Sequence, residues 1–393
     1  MTQPNPFEER QMLSRYRFGE EFVGAIEERL AEEVKRLSKI PRQKGEAASV
    51  LDAGTPPILG GAGGEHLVFG LAKKNTPEKM RNVVVKVNIR KTFEIFRPDI
   101  LEDAAAVERG KVEMEREMES REDRLSEMRR YFGNDAVPVQ RFFICDMPIS
   151  ERIVKGWDQL HRHPSHRHWI PEGETLTAKT IPAWVEVQRR IDLDPEKTVS
   201  LNGTYLEDAT SPLKKLPPDE SERSYVQAHE VLIGRTDLDP EEQHRIVLKV
   251  FPTLKRVAER VSDPAFMKGL QDMVRRLIAY SGETGIPLDL VGKNNVVLTE
   301  TAQGWRPRLL DPLLPDDHAF SAFGTAAHGA RKGWILDGQL RSGVFNALNT
   351  VRVTNALAIL AGIPDRLRIK DLEKLPADGW HRIISEGQLR AAA

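Results

Sequence analysis

Apolar residues recur along this chain at two spacings. Phe18, Phe22, Ile26, Leu30, Val34 and Leu37 stand three or four residues apart among Glu, Arg and Lys, and predict a packing helix over residues 7–38. A thinner stripe through Val107, Met114, Met118, Leu125 and Met128, set among Glu and Arg, predicts a long charged helix over 99–132. Further helices are predicted over 239–262 (Ile246, Val250, Leu254, Val257), 264–281 (Phe266, Leu270, Met273, Leu277, Ile278) and 338–361 (Val344, Leu348, Val351, Ala356, Leu360). Asp239 before Pro240 and Asp263 before Pro264 read as N-caps followed by first-turn prolines.

The second spacing is that of strands. Val83–Asn88 is β-branched, and Val137–Cys145 and Ile181–Gln188 read the same way. Val296–Thr299 and a short strand from Trp305 flank a turn over Thr301–Gly304, the pattern of a hairpin. A helical scaffold would instead place helices at 83–88 and 294–310. In Pro57–Gly70, strand residues flank a cluster of glycines. Residues 39–56 read as a linker, 192–222 and 321–333 as loops, and Leu367–Ala393 as a tail with one element near Trp380.

Composition narrows the class. The chain has 393 residues, room for one large or two to three small domains. Its 58 basic and 59 acidic residues leave no net field that would favour nucleic acid or a membrane surface. A single cysteine, Cys145, excludes an intrachain disulfide and suits a reducing compartment. The N-terminus is polar, and no apolar run approaches membrane-spanning length. The expectation is a soluble cytoplasmic protein.

The candidate chemistry lies in five places. Asp289 opens a polar loop, Asn294 follows five residues on, and Asp311 ends the hairpin behind them. Folded, the loop and hairpin bring these three toward one point. Two hard oxygen ligands and a carboxylate base suit Mg²⁺-dependent phosphoryl transfer. Glycines at 61, 63 and 64 would let backbone N–H groups approach phosphate oxygens closely, although most such loops are simply turns. Lys86 interrupts a β-branched run, so it is either at an edge or paired. The tract His161, His163, His166 and His168 reads as a solvated loop, with Zn²⁺ or Ni²⁺ binding the minor alternative. Pro315–His318 reads as a surface turn, with an added ligand or a substrate mouth the minor alternative.

Taken in order, these motifs resemble the protein-kinase-like superfamily. Asp289 and Asn294 keep the spacing of its H-R-D-L-x-x-x-N loop, with Pro287 and Leu288 in place of His-Arg. Asp311-Pro312-Leu313 stands for D-F-G. Gly61, Gly63 and Val68 match the glycine-rich loop, with His66 at its third glycine position. Such degeneracy is similar to the small-molecule and atypical branches. The resemblance covers about 57–312, and order is its strongest part.

It implies a two-lobed α+β fold with a small antiparallel-sheet N-lobe and a helical C-lobe. Residues 1–56 would be an extension and linker. Residues 57–191 would form the N-lobe with its His-rich insertion. Residues 192–393 would form the C-lobe, with the catalytic loop and a C-terminal tail. The resemblance implies ATP and Mg²⁺ as cofactors, with Gly61, Gly63 and Gly64 over the ATP phosphates. Lys86 would contact phosphate oxygens and be held by a helix glutamate, with Glu122 first and Glu115 and Glu119 as rivals. Backbone groups at Val187 and Gln188, in the segment running to Ile191, would meet the adenine edge. Asn294 and Asp311 would hold Mg²⁺, with Asn295 the alternative, and Asp289 would take the acceptor proton.

The implied function is an ATP- and Mg²⁺-dependent phosphotransferase acting on a protein or small-molecule hydroxyl. An inactive pseudokinase-type binding module and nucleotidyl transfer (adenylylation) are the alternatives. The segment after Asp311 has no Ala-Pro-Glu ending and offers no evident peptide platform. No nucleic-acid or membrane partner is expected.

Overall fold

The computed structural model describes residues 23–32, 61–62, 66–70, 83–96, 98–149, 179–191, 193–203, 212–290, 294–313 and 338–369. It is an α+β chain whose strands form two small antiparallel sheets. The chain divides into two compact units. One runs to Leu125 and resumes over Val139–Ile191; the other comprises Ser126–Pro138 and the chain from Asp192 onward.

The first unit is built on a five-stranded sheet in the order β1-β2-β3-β5-β4. Its strands are β1 (Gly61–Ala62), β2 (His66–Gly70), β3 (Val83–Asn88), β4 (Gln140–Pro148) and β5 (Thr180–Arg189). In β3 all residues after Val83 are buried, so both of its faces are covered and the sequence reads as a continuous apolar run rather than an alternation. Residues 23–32 form a helix, α1, with Ile26 and Leu30 buried. The rest of the helix expected over 7–38 lies outside the described residues.

Two helices follow β3. The side chain of Asn88 ends the strand by accepting from Lys91 N at 3.0 Å, and this cap starts α2 (Ile89–Ile95). Thr92 Oγ1 donates to Asn88 O at 2.7 Å and accepts from Trp184 N at 3.2 Å, which docks the helix on β5. A short helical turn at Pro98–Leu101 then leads to α3 (Ala104–Phe132), five residues later than its stripe suggested. Met114, Met118, Leu125 and Met128 are its buried face, as the stripe required.

The second unit holds a three-stranded sheet of β6 (Thr198–Ser200), β7 (Val296–Thr301) and β8 (Gly304–Leu309). The β7–β8 turn closes on the pair Thr301 and Gly304, and Gly304 takes φ 95°, a left-handed value that glycine adopts without a Cβ clash. Strands at 83–88, 296–301 and 304–309 exclude the helical-scaffold alternative.

Around this sheet lie α4 (Pro218–Leu232), α5 (Pro240–Val250), α6 (Lys255–Arg260), α7 (Pro264–Thr284) and α8 (Gly338–Leu360). The single helix expected over 239–262 is broken at Phe251-Pro252, where proline has no N–H to continue the ladder. Asp239 and Asp263 cap α5 and α7 as read, accepting from Glu242 N and Ala265 N. Trp305 of β8 packs edge-on against Phe266 at 5.0 Å. Gly269 permits this approach: a Cβ there would lie 2.7 Å from Trp305 Cβ.

Residues 126–138 belong to this unit through specific bonds. Ala136 O accepts from Leu309 N at 2.8 Å, Tyr131 O accepts from Arg276 at 2.8 Å, and Tyr131 donates its hydroxyl to Glu283 at 2.6 Å. Among the described residues, no helix is long and apolar enough to cross a membrane.

Candidate functional site

The loop that begins at Asp289 is stitched to the end of the hairpin by main-chain bonds. Asp289 N donates to Pro312 O at 2.9 Å, and Leu288 forms an antiparallel bridge with Leu313. On the other side Asn295 O accepts from Leu310 N at 2.7 Å and from Asp311 N at 3.4 Å. The structure therefore gathers the backbones at Asp289, Asn294–Asn295 and Asp311 into one patch of the second unit. Leu288 and Leu290 are buried, and Asp289 between them is half-buried.

Asn294 takes φ 62°, the left-handed region that Asn tolerates better than most residues. It makes the turn into β7. Asp311 is half-buried, with Oδ1 inside. Two further elements fix the loop from behind. Gly203 N donates to Leu290 O at 2.7 Å, and Thr350 Oγ1 of α8 donates to Leu288 O at 2.6 Å. A carboxylate and a carboxamide give Mg²⁺ the hard oxygen donors it prefers, leaving further positions for water and phosphate. Among the described residues, no group of three or more His, Cys, Asp or Glu side chains is arranged to hold a metal ion.

The other expected residues lie in the first unit. Lys86 sits in β3, buried, opposite Val68 of β2 and opposite Glu186 of β5. The edge-exposed alternative is thereby removed, since β3 is interior to the sheet. Glu186 is 1% exposed, and Arg121 of α3 places its Nε 3.2 Å from Glu186 Oε1. Glu122, the next residue of α3, is half-buried. One row along the sheet, Gln140 Nε2 donates to Gln188 Oε1 at 2.9 Å. Directly opposed residues share a face, so Lys86, Glu186, Gln188 and Gln140 form a polar strip on one face of an otherwise apolar sheet.

Gly61 is in β1, paired with Val68; Gly63 and Gly64 lie outside the described residues, as do the His161–His168 tract and Pro315–His318. Val187 and Gln188 are flanked by β3 on one side and β4 on the other, so the sheet surrounds their backbone groups. The chain leaves the sheet only at Arg190.

Sequence reasoning passed over Glu186 and Arg121. The signal was present: Glu186 is a single charge inside Trp184-Val185-Glu186-Val187, as Lys86 is inside its own run. It also passed over a buried cluster in the second unit. Arg352 of α8, fully buried, donates to Tyr225 Oη at 2.6 Å and to His229 Nδ1 at 3.1 Å, both on α4. Because guanidinium can only donate, His229 Nδ1 is the acceptor and its proton is on Nε2. Burial first, then Arg352 and Arg235, hold the His229 pKa well below that of a free imidazole.

No protein-family model matches this sequence, and neither the curated proteins nor the solved structures hold a match to it.

Proposed function

We propose that the chain is an ATP- and Mg²⁺-dependent phosphotransferase of two-lobed kinase-like architecture, acting on a hydroxyl acceptor. One observation supports this reading: main-chain bonds hold the loop at Asp289, Asn294–Asn295 and the hairpin end at Asp311 in one patch. Asn294, or its neighbour Asn295, and Asp311 would hold Mg²⁺, which when bound neutralises charge developing on the transferred phosphoryl group. Asp289 would orient the acceptor hydroxyl and receive its proton. Lys86 would bind phosphate oxygens. Since the sheet encloses Val187 and Gln188, the adenine edge meets the backbone of Arg190 and Ile191 instead.

The test is release of labelled γ-phosphate by the native chain beside Asp289→Asn and Asp311→Ala, each checked for unchanged thermal melting. Both variants are expected to lose turnover by about 100-fold or more. Equal turnover in all three would overturn the assigned roles.

A second reading, a catalytically inactive binding module, draws support from Pro312 and Leu313 where the resemblance expects Phe-Gly, with Leu313 tied to Leu288. Under it, MgATP gives no thermal shift.

A further inference from the structure

The sheet of the second unit turns one face to α7, where Trp305 packs on Phe266. Successive residues of a strand point to opposite faces, so Arg306 and Arg308 of β8 lie on the far face. The register carries that face across all three strands in two rows. Ser200 stands opposite Val297, and Val297 opposite Arg308. Thr198 stands opposite Thr299, and Thr299 opposite Arg306. No strand residue on this face is a carboxylate, since Glu300 shares the face of Trp305.

The two rows differ in how their polar groups are satisfied. In the first, the chain supplies the partners: Ser200 Oγ donates to Asn202 Oδ1 at 2.6 Å, and Arg308 donates to Asp135 O. In the second it supplies none among the described residues. Thr198 is 6% exposed, and its Oγ1 is buried without a hydrogen-bond partner, as is Oγ1 of Thr299. Arg306, at the open end of the row, is exposed and forms no hydrogen bond or ion pair with the described residues. A buried hydroxyl left without a partner lowers stability, and folded chains tolerate few of them. Here two fall side by side, on directly opposed residues whose Cβ atoms stand about 4.5–5.5 Å apart, next to a guanidinium.

We propose that the row Thr198–Thr299–Arg306 is a phosphate-binding site, built on the strands rather than in the Asp289 loop. Both hydroxyls can donate, and the guanidinium can only donate, so the complementary ligand is rich in acceptors and negatively charged. The oxygens of a tetrahedral phosphate give each donor its own acceptor, which the two oxygens of a carboxylate do not. The absence of a carboxylate from this face leaves nothing there to repel an anion or to hold a metal cation. The phosphate is either free or an ester of a small molecule; the recognised chemistry is the same. The proposal does not rest on the phosphotransferase reading.

The test is calorimetric titration of the full chain with inorganic phosphate and with glycerol 2-phosphate, against acetate and chloride at matched ionic strength. The variants are Thr198→Val, Thr299→Val, Arg306→Gln and Lys86→Met, each with a thermal melt. The wild type is expected to bind phosphate saturably, and acetate about tenfold more weakly or less. Each of the Thr198, Thr299 and Arg306 variants should weaken phosphate binding by about tenfold or more, and Lys86→Met should leave it unchanged. Valine keeps the shape of threonine, so without phosphate both valine variants should melt at or above the wild-type temperature. Phosphate should raise the melting temperature of the wild type and not of these variants. Tighter binding of glycerol 2-phosphate assigns the site to an esterified phosphate, and tighter binding of inorganic phosphate to the free ion; either supports the proposal.

No saturable binding by the wild type overturns it, and the hydroxyls then meet water only. Binding that survives in all the sheet variants, or that disappears in Lys86→Met alone, overturns it as well. Should a valine variant fail to fold, Arg306→Gln carries the test from an exposed position, with lost binding supporting the proposal and unchanged binding sinking it.

Discussion

Replacing His229 by Gln should flatten part of the acid limb of the stability curve. The native imidazole is buried and neutral, accepting from Arg352 at Nδ1, with the Nε2 hydrogen meeting no acceptor among the described residues. Its pKa lies well below 6.5 in the folded chain. In the unfolded chain it returns to about 6.5. Between these two values the unfolded chain binds a proton that the folded chain refuses, so stability is lost as pH falls through that window. Inside the window the slope approaches about 1.4 kcal/mol per pH unit.

Glu230, next in sequence, works in the opposite sense. Burial raises its pKa, so the folded chain takes up a proton earlier and mild acid favours it. The raw curve therefore mixes two signs, and the quantity to measure is the difference between wild type and His229→Gln. Glutamine keeps an acceptor for Arg352 and does not titrate. Urea unfolding followed by circular dichroism, from about pH 7.5 to about pH 5, should show the wild type losing stability relative to the variant as pH falls below about 6.5, with a slope of up to about 1.4 kcal/mol per pH unit. A flat difference would mean that the folded imidazole protonates normally, and the buried-neutral assignment would be wrong.

Substitutions at two other positions separate backbone from chemistry at the loop. Asn294→Gly fits φ 62° without strain, whereas Asn294→Ala should be less stable by about 1 kcal/mol; both should raise the Mg²⁺ concentration needed for turnover if the amide is a ligand. Equal Mg²⁺ dependence in wild type and Asn294→Gly would transfer the ligand role to Asn295. Thr350→Val removes the hydroxyl that donates to Leu288 O and should cost about 1–2 kcal/mol in chemical denaturation, while Thr350→Ser should retain most of it. Equal loss in both would show that packing, not this bond, holds the loop.

Much of this was legible in sequence because it rests on local signals. Asp239-Pro240 and Asp263-Pro264 are caps whose chemistry is contained in adjacent residues. The β7–β8 hairpin is written in Thr301–Gly304. Helix α2 was not legible, since seven residues leave no periodic record and its start depends on the Asn88 side chain folding back. Helix α4 was hidden by Pro217-Pro218, which reads as a loop although proline suits a first helical turn. The Glu186–Arg121 contact was not legible either. Which arginine of a charged helix turns inward is decided by packing against a sheet 65 residues further on in sequence. Likewise Arg352 looks like an ordinary helix-surface cation until Tyr225 and His229 enclose it.

Residues 126–138 carry a consequence for how this polypeptide can be divided. They sit early in the chain, yet their carbonyls at Ala136 and Tyr131 receive Leu309 N–H and the Arg276 guanidinium. A cleavage at Ile191 therefore does not release two self-sufficient halves: the downstream fragment would lose thirteen residues of its own wall. During synthesis, that short piece emerges long before the strand and helix it joins, and must wait for them.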